Sequence, residues 1–189
     1  MDNPQVVIEH IASEGALRES ATAEDLHFVE QFSSESRRRE VLAWRGVVRR
    51  VLGAECRIFH DDYGAPKVDN PRKYISVSHS KECVAVLFAD VPCAIDIEDI
   101  GRNFRRVADR YLSEREQALA EQYDIYAELW SAKESLYKYY SKGNLDISNH
   151  IVIESYRPTE QILVATILDS APIEVRLSHE GSLVIAIIC

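Results

Sequence analysis

Two stretches of the chain, Ile75-Ser-Val-Ser-His-Ser-Lys-Glu-Cys-Val-Ala-Val-Leu-Phe88 and Val175-Arg-Leu-Ser-His-Glu-Gly-Ser-Leu-Val-Ile-Ala-Ile-Ile188, align at an offset of 100 residues. Ser78/Ser178, His79/His179 and Val84/Val184 are identical, and most apolar positions agree. Each stretch reads as two strands around a polar turn, and each follows a long helical segment and then strands in the same order. A frame that recurs this way predicts an α+β fold of two similar lobes. Each lobe would be a long helix packed on an antiparallel sheet, with a pseudo-twofold axis relating the two. The lobes are expected at residues 1–98 and 99–189. Glycine and proline occur as scattered turn punctuation without a linker, so the lobes form one compact unit with the site expected in the cleft between them.

Outward from the repeat, the elements follow the periodicity. A short strand is expected at Gln5–Ile11, followed by an acidic, poorly patterned stretch. A helix runs from about Ser34 to Leu52, with Ser33 or Ser34 as its N-cap and Gly53 past its end. One face is apolar (Val41, Val48, Val51). The other carries Arg37, Arg38, Arg39, Arg45, Arg49 and Arg50, either a solvated face or an anion-binding one. Asp62–Pro66 is a turn; Tyr74–Val77, Cys83–Phe88 and Cys93–Ile97 are strands. Helical regions cover Val107–Gln122 and Tyr126–Tyr140, and strands at Ile151–Glu154, Ile162–Leu168, Glu174–Leu177 and Leu183–Ile188 complete the chain.

Composition narrows the function classes. The 189 residues are 46% hydrophobic and 28% charged, the balance of a soluble globular protein. No apolar run approaches the ~20 residues of a membrane span, and Met1-Asp2-Asn3-Pro4 lacks the basic, then apolar, pattern of a signal peptide. With 22 Lys and Arg against 31 Asp and Glu, the net charge is −9, which argues against a broad nucleic-acid-binding surface. Cys56, Cys83, Cys93 and Cys189 form no C-x-x-C pair and read as reduced thiols of a cytoplasmic protein.

Three motifs carry candidate chemistry. In Ala94-Ile95-Asp96-Ile97-Glu98, strand alternation puts Asp96 and Glu98 on one face, about 7 Å apart along the strand. That pair is either a solvated strand end or a site for a hard divalent cation such as Mg²⁺. In Trp130-Ser-Ala-Lys-Glu-Ser-Leu-Tyr-Lys138, helical spacing puts Trp130, Glu134 and Lys138 on one stripe, with Lys133 and Tyr137 beside them. Glu134 and Lys138 are either a surface ion pair or a third carboxylate and an ammonium brought to one spot. Ser78-His79-Ser80, at a strand end, lacks the elbow of a serine hydrolase and suits phosphate oxygens.

Taken together and in order, these motifs resemble those of the 4′-phosphopantetheinyl transferase superfamily, in its larger, pseudo-dimeric monomeric type. That family shows a G-K-P turn, an S-x-S-H-S strand end, a G-[IV]-D-[IV]-E strand and a W-[ST]-x-K-E-[SA]-x-x-K helix. Here they stand as Gly64-Ala65-Pro66, Ser76–Ser80, Ala94–Glu98 and Trp130–Lys138, and the resemblance spans roughly Arg37 to Ile153. The family's G-K-P lysine is Ala65 here, and the glycine before its acidic strand is Ala94.

The resemblance implies an enzyme that moves the phosphopantetheine arm of coenzyme A onto a serine of an apo acyl or peptidyl carrier protein and releases 3′,5′-ADP. It implies Asp96, Glu98 and Glu134 as Mg²⁺ ligands, and Glu134 as a candidate base. Lys138 would act on the pyrophosphate, and Ser78 and His79 would hold coenzyme A phosphates. Gly64 and Pro66 would lie against the nucleotide. The family's lysines that grip the 3′-phosphate have no clear counterpart here; Arg39 and Arg45 are the candidates for that role, and Lys67 or an arginine of the first helix for the cation missing at Ala65. The rival expectations are a non-catalytic coenzyme A- or carrier-binding relative and an unrelated Mg²⁺-dependent phosphohydrolase. The Ile100–Leu112 segment sets Arg102, Arg105, Arg106 and Arg110 against Asp109 alone. With Ile100 and Phe104 as apolar anchors, it is either a solvated helix start or the place where an acidic carrier docks.

Overall fold

The computed structural model describes residues 4–189, so Met1–Asn3 of the signal-peptide reading lie outside the described residues. The chain divides into two compact units, one ending at Val91 and the other beginning at Pro92. The division precedes the expected 98/99 boundary because the strand Ala94–Asp99 hydrogen-bonds to a strand at the far end of the chain.

The first unit holds β1 (Gln5–His10), α1 (Glu14–Ser20), α2 (Ala23–Val29), α3 (Glu35–Leu52), β2 (Ile58–His60), β3 (Pro66–Val68), β4 (Tyr74–His79) and β5 (Cys83–Ala89). Its main sheet has the order β1-β5-β4, with both pairs antiparallel, and β2 and β3 form a separate hairpin. Helix α3 starts where Ser34 accepts a hydrogen bond from the Arg37 N–H, and ends at Gly53, whose φ of 103° favours glycine. Its Val41, Val47 and Val48 are buried with Val84, Val86 and Phe88 in one core, the burial that turns a weakly patterned helix into a fixed one. The acidic stretch is not irregular. Ser13 caps α1, and Thr22 and Asp25 form a capping box on α2.

The second unit holds β6 (Ala94–Asp99), a 3₁₀ helix (Phe104–Arg110), α4 (Glu114–Tyr123), α5 (Tyr126–Tyr140), α6 (Ile147–His150), β7 (Ile151–Arg157), β8 (Ile162–Ile167), β9 (Ile173–Glu180) and β10 (Leu183–Ile188). The sheet order is β6-β10-β9-β8-β7, with every neighbouring pair antiparallel. The helix expected at Val107–Gln122 is two elements, because Ser113 and Glu116 form a capping box that begins α4 afresh. Leu129, Ala132 and Leu136 of α5 are buried in one core with Ile151, Ile153, Val175 and Ala186 of the sheet.

Both units are α+β, and the strand order β1-β5-β4 of the first has its counterpart in β6-β10-β9 of the second. In the first, Glu9 lies opposite Val84, which lies opposite His79; in the second, Glu98 lies opposite Val184, which lies opposite His179. Among the described residues, no helix is long and apolar enough to cross a membrane.

Candidate active site

The chemistry-bearing residues of the second unit meet where α5 faces β6. Alternation along β6 sends Ile95 and Ile97, both fully buried, to one side and Asp96 and Glu98 to the other. The α5 stripe of Trp130, Glu134 and Lys138 lies against those carboxylates. The Lys138 ammonium donates to Asp96 Oδ1 at 2.8 Å and to the Ile95 carbonyl at 3.1 Å. The Trp130 indole N–H donates to Glu98 Oε1 at 2.8 Å, and Arg102 donates to Glu98 Oε2. Glu134 sits between these contacts. Burial raises its carboxyl pKa above the ordinary value, the charges of Asp96 and Glu98 raise it further, and Lys138 opposes them.

Lys133, which spacing alone put beside this stripe, turns away from it. It is fully buried and donates to Glu116, to the Ile147 carbonyl and to the Ile151 carbonyl. Glu116 in turn accepts from the Ser113 N–H and the Ile153 N–H. Lys133 therefore fastens α5 to α4 and to the start of β7. Burial pushes its ammonium pKa down, against the pull of Glu116.

Among the described residues, no three His, Cys, Asp or Glu side chains are gathered as a ready metal cage. The donor chemistry nonetheless fits a hard divalent cation. Asp96, Glu98 and Glu134 are three carboxylates on facing elements; burial and then the charges of the other two raise the pKa of Glu134, while Lys138 holds Asp96 and Arg102 and Trp130 hold Glu98.

The first unit places the other candidates. His79 is half-exposed at the end of β4, with Nε2 3.5 Å from Arg37 Nη1 and 3.7 Å from a Glu40 carboxylate oxygen. Ser78 is buried. The Gly64 turn is built on Asp61, whose carboxylate accepts from the Tyr63 and Ala65 N–H groups, and Gly64 takes the positive φ of 82° the turn needs. Pro66 begins β3 opposite His60.

Two expected residues, Arg45 and Phe104, require correction. The Arg45 guanidinium is buried, paired with Asp25 and Glu24 and lying over the Phe28 ring, so it is a core cation rather than a surface one. Arg39 donates from Nε to the Ala12 carbonyl and from Nη2 to the Ile11 carbonyl, two of its five N–H groups. Phe104 is buried with Ala127 and Val184 against Trp130, so it cannot serve as an exposed anchor. Ile100 and Arg106 are exposed, and Arg105 is exposed and paired with Glu121. The residue that sequence reasoning missed is Arg37, which sat unsorted among six arginines on α3. Only the fold brings it to His79.

The site is thus an edge strand carrying two carboxylates, faced by a helix carrying a third with a lysine. A sequence model of the 4′-phosphopantetheinyl transferase superfamily matches residues 92–188, just over half of the chain and the whole of this arrangement, and the chain belongs to that superfamily. Over 97 residues it is 33% identical to the 4′-phosphopantetheinyl transferase Ffp of Bacillus subtilis and 35% identical to Sfp of Bacillus subtilis strain 168. Over 89 residues it is 34% identical to the 4′-phosphopantetheinyl transferase Gsp of Aneurinibacillus migulanus. These matches take in 44–48% of this chain and 37–43% of the relatives, so the chain spans less than half the length of the curated relatives it matches.

Proposed function

We propose that the chain transfers the 4′-phosphopantetheine arm of coenzyme A to a serine hydroxyl of an apo carrier protein and releases 3′,5′-ADP. The observation that carries this reading is the α5 stripe. Trp130, Glu134 and Lys138 meet Asp96 and Glu98 face to face, inside the segment that matches the superfamily. Asp96, Glu98 and Glu134 would hold Mg²⁺, which supplies charge neutralisation on the pyrophosphate. In the reaction the carrier serine oxygen bonds to the pantetheine-side phosphorus, and the bond from that phosphorus to the 3′,5′-ADP oxygen breaks. Glu134 is the candidate base for the serine proton, and the Lys138 ammonium stands against the charge growing on the leaving phosphate. The nucleophile in this reading belongs to the partner.

In the first unit, Arg37 and His79 share the Glu40 carboxylate at the end of β4 and make a corner whose N–H donors suit phosphate oxygens. We assign the nucleotide phosphates to it, together with Ser78 and the Gly64–Pro66 turn. Arg37 takes the part of the cation missing at Ala65. The matching strand orders and the matching Glu-Val-His rows support a duplicated frame with pseudo-twofold symmetry. The segment Ile100–Arg110 presents Arg105 and Arg106 to an acidic carrier.

The test is to mix the protein with coenzyme A, Mg²⁺ and a panel of apo carrier proteins and weigh the carriers by mass spectrometry. One carrier should gain the phosphopantetheine mass, and Asp96→Ala and Glu134→Ala should each abolish the gain at saturating Mg²⁺. Coenzyme A binding without any modified carrier would instead support a non-catalytic relative.

A further inference from the structure

Strand β7 lies at one end of the five-stranded sheet, and among the described residues it is laddered to β8 alone, so its other side is a free edge. Alternation decides which backbone groups face that edge. The His150 carbonyl accepts from the Leu168 N–H toward β8, so Ile151 and Ile153 turn their polar groups the other way. The Lys133 ammonium donates to the Ile151 carbonyl at 2.8 Å, and the Ile153 N–H donates to Glu116 Oε1 at 2.8 Å. One residue of a neighbouring parallel strand would make the same two contacts, giving its N–H to the first group and its carbonyl to the second. The two side chains are fully buried and paired with each other at 2.9 Å, so water does not compete for them. Beyond the bulge between Ile153 and Ser155 begins a third contact of this kind, where Arg115 donates to the Glu154 carbonyl at 3.1 Å.

We infer that the buried Lys133–Glu116 pair is an edge stop: it fills the place of a sixth strand and so keeps β7 from pairing with β7 of a second copy of the chain. Without the stop this edge is well suited to self-pairing. Ile151-Val-Ile153 is β-branched throughout and carries neither charge nor proline. Val152 is 38% exposed, and Leu168, just past the end of β8, is 48% exposed, so apolar surface flanks the edge. Two copies related by a twofold axis would set the same strand antiparallel to itself, a contact that closes at two chains. This role does not depend on the transfer reaction, and its failure would leave the proposed function untouched.

The test has two arms. In the wild-type chain, hydrogen–deuterium exchange at single amides should find Ile153, on the free edge, protected to within about tenfold of Val152, which faces β8. The second arm follows mass by sedimentation at rising concentration, with circular dichroism to establish that each chain is folded. It compares wild type, Lys133→Met/Glu116→Leu and the triple variant that adds Val152→Lys. Wild type should keep the mass of one chain, and the double variant should move to the mass of two. As it does so, exchange at its Ile153 amide should slow by about tenfold or more, because a partner strand now takes that N–H. The triple variant should return to one chain, since the two lysines meet across the twofold. Free exchange at Ile153 in wild type, wild type that itself pairs through β7, a folded double variant that stays a single chain, or pairing that survives Val152→Lys would each overturn the inference. Should the double variant not fold, the wild-type amide decides alone.

Discussion

Lys138 gives one hydrogen to a side chain and another to the backbone of the same strand, so it reads both the charge of Asp96 and the position of Ile95. Replacing it by alanine should lower kcat by ~10²-fold or more with a smaller change in KM for coenzyme A, as expected of a group that acts on the transition state. Steady-state kinetics check this, and a variant that loses coenzyme A affinity but keeps kcat would reduce the lysine to a grip. Asp25 illustrates a residue whose work is structural. Burial acts to raise its pKa, but hydrogen bonds from Arg49, Thr22 and Arg45 prevail and hold it at about 2. The folded value lies below the ordinary 3.8, so its stabilisation is complete above that value and lost as pH falls through about 2. Asp25→Ala strands two buried guanidiniums and should cost about 3–5 kcal/mol at neutral pH. Urea unfolding at a series of pH values should show the gap from wild type narrowing below the ordinary carboxylate value.

At the scale of elements, the Lys133–Glu116 pair ties α5 to α4 on the side of the helix whose Leu129, Ala132 and Leu136 enter the core. Lys133→Ala leaves Glu116 buried and unpaired and should destabilise the fold by about 3–5 kcal/mol. The double variant Lys133→Met/Glu116→Leu removes both charges and should cost less than Lys133→Ala alone, as thermal unfolding would show. Helix α5 was legible to the residue, Tyr126–Tyr140, because its stripe repeats over several turns. The acidic strand was legible because alternation leaves no second choice of face. Helices α1 and α2 were not: at seven residues each they hold too few apolar positions to show a period, and their caps at Ser13 and Thr22 resemble ordinary turns. Nor could spacing foresee that Arg45 is neutralised by Asp25 from another helix, that Phe104 is covered by Trp130, or that Lys133 points the opposite way from Lys138. Those outcomes depend on partners distant in the chain.

Across the whole molecule, a net charge of −9 would repel an acidic carrier, so docking depends on local arginines overcoming the global field. Charge reversal at Arg105 and Arg106 together should raise KM for the carrier, leave KM for coenzyme A unchanged and flatten the salt dependence of the rate. Equal modification rates for wild type and variant at low salt would move docking elsewhere. The sheet of the second unit also governs how the site ages in solution. Strand β10 is laddered to β6 on one side and β9 on the other, and its Val184 and Ala186 are fully buried. Its amides should therefore be among the last of the chain to take up deuterium, exchanging only when the unit opens as a whole. Because β6 hangs on that ladder, Asp96 and Glu98 keep their spacing for as long as β10 keeps its protons. Loss of activity on storage or heating should then follow the deuterium clock of a buried strand, not the fraying of any surface loop.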